Sequence, residues 1–256
     1  MADNILQVTG ITKKFGGVTA VNNVTFGVGS GYIVAVIGPN GAGKTTLFNM
    51  ISGITAPTSG VIEFHGKRVD GLPVHKLAKR GFRRTFQNLE IFKNMTVLEN
   101  VVLGTHTKLK TNVFNAAFVR SVVRKDDDLA LHLAEQALEL VGLVGRRDEL
   151  AGNLSYGLQK LLEMARTIVS EPSLVLLDEP LAGLNDAESD KLAAIIMRMK
   201  EKGTSFLFVE HDVRTVMKIA DRIVVIDFGN MIAEGTPSEI QSNQKVIAAY
   251  LGEEVY

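Results

Sequence analysis

A glycine-rich octapeptide sets the strongest limit on what this 256-residue chain can form: Gly38-Pro39-Asn40-Gly41-Ala42-Gly43-Lys44-Thr45. A loop that wraps a polyphosphate must point successive backbone N–H groups inward, which requires glycine's conformational freedom and lack of a side chain. The segment follows an apolar run and precedes a helical pattern, whose positive N-terminal end attracts anions. It therefore predicts a phosphate-binding P-loop in which Lys44 reaches the β- and γ-phosphates, Thr45 binds Mg²⁺ and Thr46 adds a hydrogen bond.

A second motif is an apolar run that ends in two carboxylates, Leu174-Val175-Leu176-Leu177-Asp178-Glu179. Taken alone, it also fits a buried strand that ends in a solvated turn. Beside a complete P-loop, it favours a Walker B strand, which places Asp178 where it can hold the Mg²⁺ shell. Glu179 follows directly and is the candidate for polarising the attacking water. The two motifs together predict a site for nucleotide hydrolysis.

The order of patterns along the chain predicts the fold class. Short β-branched runs between glycine turns predict several strands before the first helix, which indicates an antiparallel layer. The pattern is helical from about Leu89 to Asn153, and afterwards apolar strands alternate with helices, as in a parallel sheet covered on both faces. We therefore expect an α/β P-loop NTPase (RecA-like) core with an N-terminal antiparallel β layer and an inserted α-helical subdomain.

Several helix starts are predicted from local chemistry. Thr96 with Glu99, and Thr236 with Glu239, have the spacing of a capping box, in which each side chain satisfies a backbone N–H. The acidic triplet at 126–128 is interpreted as a helix start rather than a metal site, because carboxylates complement the positive helix end. Asp186 is expected to cap the helix that follows Walker B.

Composition excludes several classes of protein. The chain has 28 basic and 28 acidic residues, whereas nucleic-acid binders usually carry a basic excess. It has no cysteine, so disulfides, thiolate zinc sites and cysteine nucleophiles are excluded. No apolar run approaches the roughly 20 residues that cross a bilayer, and the N-terminus lacks a signal-peptide pattern. We expect a cytoplasmic location, with any membrane role acting through a partner.

From about residue 5 to residue 256, the motifs together resemble the nucleotide-binding subunit of an ABC transporter. Gln87 is similar to the Q-loop glutamine of that family, and His211 is similar to its switch histidine. Phe15 stands where the family places an aromatic ring against adenine. Leu154-Ser155-Tyr156-Gly157-Leu158 resembles the signature LSGGQ. Singly, these residues also fit an exposed polar residue, a helix start or a core position, but their joint order favours the family.

The resemblance implies an ATP hydrolase with ATP and Mg²⁺ as cofactors. It implies one ABC ATP-binding domain over 1–256, with the core and β layer in 1–88 and 154–235, the helical insertion in 89–153 and a C-terminal helix in 236–256. The implied catalytic residues are Glu179, His211, Lys44 and Gln87, and the implied Mg²⁺ residues are Thr45, Gln87 and Asp178. The implied ATP-binding residues are Phe15, Gly38, Pro39, Asn40, Gly41, Ala42, Gly43, Lys44, Thr45 and Thr46.

The resemblance also implies partners. In this family the signature, Leu154 to Leu158, faces ATP bound to a second ATPase subunit, so two chains close head-to-tail over two nucleotides. Ser155 suits this role as an N-cap before a helix whose positive end points outward. The second subunit is identical or homologous, and the other implied partners are transmembrane permease subunits and, indirectly, a solute-binding protein, with no nucleic acid. The chain would lie on the inner face of the cell membrane through the permease.

Three positions depart from the family pattern. Tyr156 replaces the first signature glycine, and Leu158 replaces the glutamine, although Gln159 follows. Asn185 stands where the family commonly has aspartate. These departures bear on the contacts between subunits, whereas Lys44, Glu179 and His211 remain, so hydrolysis is still expected.

Within the family, the chain is similar to importers of branched-chain amino acids. The similar segments are Gly38 to Met50, Arg84 to Phe92, Ala182 to Asn185 and Ile247 to Gly252. Two alternatives are an exporter or lipid-extraction ATPase, with nearly the same motifs, and a soluble ABC ATPase acting on nucleic acid or ribosomes. A GTPase-type switch would require an Asn-Lys-x-Asp segment, which the sequence lacks.

Overall fold

A computed structural model describes residues 4–85, 89–109, 120–210 and 213–251, without the side chains of 120–124 and 251. Within these ranges the strands form a four-stranded and a six-stranded sheet. The strands are β1 Asn4–Phe15, β2 Val18–Gly29, β3 Ile33–Ile37, β4 Ser59–Phe64, β5 Lys67–Arg68, β6 Phe82–Arg84, β7 Leu174–Asp178, β8 Ser205–Val209, β9 Arg222–Asp227 and β10 Asn230–Gly235.

The α-helices of the described ranges vary from five to 22 residues in length. They are α1 Lys44–Ile51, α2 Val74–Ala78, α3 Val97–Gly104, α4 Arg120–Val141, α5 Tyr156–Ile168, α6 Asp186–Glu201, α7 Val213–Ile219, α8 Pro237–Gln241 and α9 Gln244–Leu251. In the part of the chain that the structure describes, no helix combines the length and the apolar character needed to cross a membrane.

The six-stranded sheet positions both nucleotide motifs. Its order is β10-β9-β3-β8-β7-β6, and all its neighbours pair in parallel except β10 with β9. Every residue of β3, β7 and β8 is buried, as expected for strands covered on both faces. The P-loop follows β3 and Glu179 follows β7, with β8 between them. Both motifs therefore lie at the carboxyl edge of the sheet, where ligands bind in open α/β folds.

The expected antiparallel layer is the four-stranded sheet, with the order β2-β1-β4-β5 and antiparallel pairing throughout. Its buried side chains share one apolar cluster with the helix after the P-loop. Leu6 of β1, Phe26 of β2 and Phe48 of α1 are members of this cluster and at most 2% exposed. Helix α1 therefore packs on the same core as the four-stranded sheet. The predicted α/β class with an antiparallel layer is confirmed.

Contacts between Cα atoms divide the chain into two compact units. The first consists of Met1–Arg84, Ser173–Ala182 and Ile196–Tyr256, and the second of Thr85–Pro172 and Gly183–Ile195. Helices α3, α4 and α5 pack on one another in the second unit. This unit takes in α5 as well as residues 89–153, and the domain division expected from the sequence stays a prediction.

Both capping boxes are present, but two other helix starts differ from expectation. Thr96 and Glu99 exchange the expected hydrogen bonds, as do Thr236 and Glu239. Helix α4 spans Arg120–Val141, so the acidic triplet lies inside the helix, where Asp126 is buried. Helix α6 begins at Asp186 itself, and its cap is Asn185, whose Oδ1 accepts a hydrogen bond from the N–H three residues on. The amide oxygen serves here as a carboxylate would.

Candidate active site

The P-loop connects β3 to α1 through backbone that only glycine fits at two points. Gly38 has φ 153°, and a Cβ there would lie 1.9 Å from the carbonyl oxygen of Ile226 in β9. Gly43 has φ 101°, and a Cβ there would lie 2.4 Å from the carbonyl oxygen of Ala20 in β2. A side chain at either position would collide with backbone that cannot rotate away. The two glycines therefore let the loop lie directly on the neighbouring strands.

A cavity of about 460 Å³ opens above this loop. It combines the phosphate-binding segment with Glu179 at the end of Walker B and with residues of β2 and the β9–β10 turn. The lining residues are Val18, Thr19, Ala20, Asn40, Gly41, Ala42, Gly43, Lys44, Thr45, Thr46, Glu179, Phe228 and Gly229. A cavity of this size suits a small-molecule ligand.

Three predicted ATP-binding residues lie elsewhere than in this lining. Phe15 is 52% exposed, and the Lys13 ammonium lies 5.1 Å from the centre of its ring. Gly38 underlies the loop, and Pro39 lines a smaller cavity of about 260 Å³ beside it. Phe228 lines both cavities and is 85% exposed. It is an aromatic residue at the candidate site that sequence reasoning missed.

The Lys44 ammonium lies folded against its own loop. Its Nζ donates hydrogen bonds to the carbonyl oxygens of Gly38 at 2.6 Å and Pro39 at 2.8 Å, and the residue is 6% exposed. Carbonyl oxygens are weaker partners for an ammonium than phosphate oxygens, because charged acceptors form stronger hydrogen bonds. The lysine is thus held at the cavity by bonds that an anion can replace.

Asp178 at the end of β7 forms an ion pair that the sequence analysis did not anticipate. The Arg84 Nη2 donates to its Oδ2 at 2.8 Å, and the two side chains are 7% and 8% exposed. Arg84 ends β6, which pairs with β7 over only three residues. So short a strand has no readable period, and only the sheet pairing brings this arginine to Walker B.

Glu179 has a backbone that few residues other than glycine adopt. Its φ is 48°, in the left-handed region, while its N–H donates to the carbonyl of Val209 in β8 at 3.0 Å. Nearby, the buried Glu210 accepts a hydrogen bond from the Leu181 N–H at 2.8 Å. Strained backbone that its surroundings hold in place is a feature of functional sites. These bonds direct the chain at Glu179 so that the residue lines the cavity.

The donor chemistry of two predicted metal residues fits magnesium. Thr45 lines the cavity and carries a hydroxyl, and Asp178 carries a carboxylate at the end of β7. Mg²⁺ prefers oxygen ligands of this kind together with substrate phosphates. The third predicted metal residue, Gln87, and the switch residue His211 lie outside the described residues.

The signature segment begins α5 in the second unit. Ser155 has the backbone of an N-cap, and its Oγ accepts from the Leu158 N–H at 3.5 Å. Leu154 is buried, Tyr156 is 46% exposed and Gly157 packs on Glu188. The segment therefore has the capped helix start that the sequence predicts.

Two of the three departures from the family pattern have a local structural role. The Tyr156 ring packs on Gly183, where a Cβ would lie 3.0 Å from the ring. Asn185 caps α6, as described above. Leu158 is half-buried, and the following Gln159 donates to the carbonyl of Leu154 at 3.1 Å. The glutamine thus ties the helix to the signature segment itself.

Buried charges follow the signature along α5. Lys160 and Glu163 are 4% and 5% exposed, with Nζ and Oε2 4.0 Å apart. Burial raises the pKa of the Glu163 carboxyl, while the positive charge of Lys160 opposes that change. Burial also lowers the pKa of Arg166, which lies 5.6 Å from the ring of Phe92. Sequence reasoning assigned no role to these residues.

Comparison with known proteins agrees with this site. The profile of the ABC transporter family matches residues 21–182, and that of the branched-chain amino acid ATP-binding cassette transporters matches residues 230–256. The chain is 45% identical over 254 residues to the high-affinity branched-chain amino acid transport ATP-binding protein BraF of Pseudomonas aeruginosa, and 42% identical to LivG of Escherichia coli (strain K12). Each alignment covers 99% of this chain and 100% of the relative.

Solved structures agree as well. The fold matches the ADP conformation of an ATP-binding cassette of an ABC transporter with a TM-score of 0.85 and 32% identity, over 97% of this chain and 99% of the other. A nucleotide-free ATP-binding cassette matches with a TM-score of 0.83 and 32% identity, over 96% and 98% of the two chains. On its motifs, its fold and its relatives, the chain belongs to the ABC transporter family as one of its ATP-binding subunits.

Proposed function

We propose that this chain is the ATP-hydrolysing subunit of an importer of branched-chain amino acids. One observation carries the proposal: the phosphate-binding loop and the Walker B carboxylate Glu179 line the same cavity. The relatives described above, at 42% and 45% identity, are branched-chain amino acid transport ATP-binding proteins, which supports the class of solute.

ATP binding uses the P-loop and the first turn of α1. The Lys44 ammonium exchanges the carbonyl oxygens of Gly38 and Pro39 for phosphate oxygens, which are stronger partners. Backbone N–H groups at the start of α1 add the positive end of the helix dipole. Thr46 adds a hydrogen bond to phosphate, and Phe15 stacks on adenine.

The metal residues are Thr45, Gln87 and Asp178. Mg²⁺ held by these residues would supply positive charge that offsets the negative charge of the phosphates. The hydroxyl of Thr45 and the carboxylate of Asp178 are oxygen ligands that would hold the ion beside the phosphate-binding loop. Their part in the reaction is therefore electrostatic positioning.

Glu179 accepts a proton from the attacking water, and His211 and Gln87 position the water and the γ-phosphate. The backbone at Glu179 supports this role because its N–H is bonded to β8 and the loop after it is bonded to Glu210. Backbone held in this way fixes the point from which the Glu179 side chain extends into the cavity. Positioned general bases typically contribute a factor of about 10² to 10⁴ in rate.

The complete assembly contains more than this chain. The capped start of α5, with Ser155 and Gly157, binds the γ-phosphate of ATP held by a second cassette, identical or homologous. Transmembrane permease subunits hold the pair at the inner face of the membrane and receive the movement, and a solute-binding protein delivers the amino acid. Hydrolysis removes the γ-phosphate that both cassettes share, so the pair separates.

Replacement of Glu179 by glutamine tests the hydrolytic role. Glu179→Gln should lower ATP turnover by a factor of about 10² or more, while the Kd for ATP stays within about threefold of the unmodified chain. Glu171→Gln is a matched control, since Glu171 shares the left-handed backbone (φ 48°) but lies outside the cavity lining. Equal turnover in Glu179→Gln and the control would refute the role of Glu179.

The transport role is tested by purification from membranes with a tag on this chain. We expect a permease to co-purify and ATP turnover in vesicles to rise with a branched-chain amino acid and its binding protein. If a lipid or nucleic acid raises ATP turnover and the amino acid does not, the importer proposal is wrong. The result would then favour a lipid-extraction ATPase or a soluble ABC ATPase that acts on nucleic acid.

A further inference from the structure

Arg84 connects Walker B to the helix of the P-loop. Its guanidinium donates from Nη2 to the Asp178 Oδ2 at 2.8 Å, and from Nη1 to the Asn49 Oδ1 at 2.8 Å and the Ser52 Oγ at 2.6 Å. Asn49 lies in α1, and Ser52 is the C-cap directly after that helix. One side chain therefore links β6, the end of β7 and the helix whose first residue is Lys44.

Burial makes the charge of this arginine important. The side chains of Arg84 and Asp178 are 7% and 8% exposed, so neither charge is fully solvated by water. An ionised group that is buried without an opposite charge is strongly unfavourable. In the absence of a metal ion, the guanidinium supplies the positive charge that the Asp178 carboxylate requires.

We propose that Arg84 is a positioning residue that acts through Asp178: it is a resident counter-cation that keeps the carboxylate in place between catalytic cycles and limits how strongly the site takes up magnesium. The inference rests on the proposed function, because it assumes that Asp178 serves the metal. Asp178 then alternates between two positive partners, Arg84 in β6 and the magnesium ion that binds with the nucleotide.

The proposal predicts opposite effects with and without metal. In Arg84→Met, which keeps much of the side-chain volume and removes the charge, the metal-free protein should unfold at a lower temperature. Magnesium should then stabilise the variant more than the unmodified chain, since it restores the missing positive charge. The Mg²⁺ concentration at half-saturation, measured by thermal unfolding with saturating ADP, should fall by roughly three- to tenfold, because a repelling charge nearby has been removed.

Arg83→Met is the matched control. Arg83 precedes Arg84 in β6 and donates to the carbonyl oxygens of Ala78 and Phe82. Its loss should lower the unfolding temperature with little change in the Mg²⁺ dependence. Arg84→Lys keeps the charge and should restore most of the unmodified Mg²⁺ dependence. An unchanged half-saturation concentration in Arg84→Met, or an equal change in Arg83→Met, would overturn the proposal.

A second comparison holds if Arg84→Met does not fold. The double variant Arg84→Met/Asp178→Asn removes both charges, so without metal it should fold where Arg84→Met does not, or unfold at a higher temperature if both fold. No gain from the second change would also refute the pairing. A failure of the unmodified chain to bind ADP would refute the proposed function instead, and the metal-free comparison of the single and double variants would still test the pairing.

Discussion

Gly157 of the signature packs directly against Glu188 of α6, and this contact allows a quantitative test. A Cβ at Gly157 would lie 2.1 Å from the Glu188 Oε1, whereas at least 3.0 Å is needed. The other carboxylate oxygen, Oε2, accepts from the Asn185 N–H at 3.1 Å as part of the cap of α6. In Gly157→Ala the carboxylate must therefore withdraw by about 1 Å, which breaks the hydrogen bond to Asn185.

The expected free energies nearly cancel in the single variant. Loss of the cap hydrogen bond costs about 1 kcal/mol, and alanine in place of glycine in a helix contributes about 0.5–1 kcal/mol. Gly157→Ala alone should thus change the free energy of unfolding by less than about 0.5 kcal/mol. In a Glu188→Ala background the hydrogen bond to Asn185 is already absent, so Gly157→Ala should raise the free energy of unfolding by about 0.5–1 kcal/mol.

Urea unfolding followed by far-UV circular dichroism measures the four members of this cycle. We expect a coupling of about 1 kcal/mol between the two positions. Gly145→Ala is the control, because a Cβ there meets no atom within 4 Å, and it should show no coupling to Glu188→Ala. Additivity of Gly157→Ala and Glu188→Ala to within about 0.3 kcal/mol would refute the steric argument.

Two further predictions concern the P-loop and α5. Gly38→Ala should lower the free energy of unfolding by about 2 kcal/mol or more and abolish ATP binding, because its Cβ would meet the Ile226 backbone. Gly41→Ala carries the strain of φ 79° but meets no atom within 4 Å, so denaturation and nucleotide titration should show a smaller effect than for Gly38→Ala. Burial raises the pKa of Glu163 above 4.5, so its effect on stability becomes less favourable as pH rises through the folded pKa. The stability of Glu163→Gln relative to the unmodified chain should therefore increase as the pH rises from about 4.5 through the folded pKa of Glu163, and a pH-independent difference would contradict this sign.

Local patterns were enough to predict much of the fold and the phosphate cradle. The glycines of the P-loop report a backbone that other residues cannot adopt, and the fully apolar runs at 33–37 and 174–177 report strands covered on both faces. The capping boxes at Thr96 and Thr236 depend on residues three apart. Each of these features is determined by neighbours in the chain, so the amino-acid order alone contains it.

The partner of Asp178 was decided only by the tertiary structure. Arg84 lies in a three-residue strand that has no readable period, and it reaches Asp178 because β6 pairs with β7. In the same way, Gly157 is opposed by Glu188, and the Leu181 N–H by Glu210. Charges and shapes that meet across large separations in sequence depend on sheet pairing and helix packing, which no short segment encodes by itself. The sequence by itself therefore determined which groups this protein carries for nucleotide chemistry, and the folded chain decided which of them balance one another.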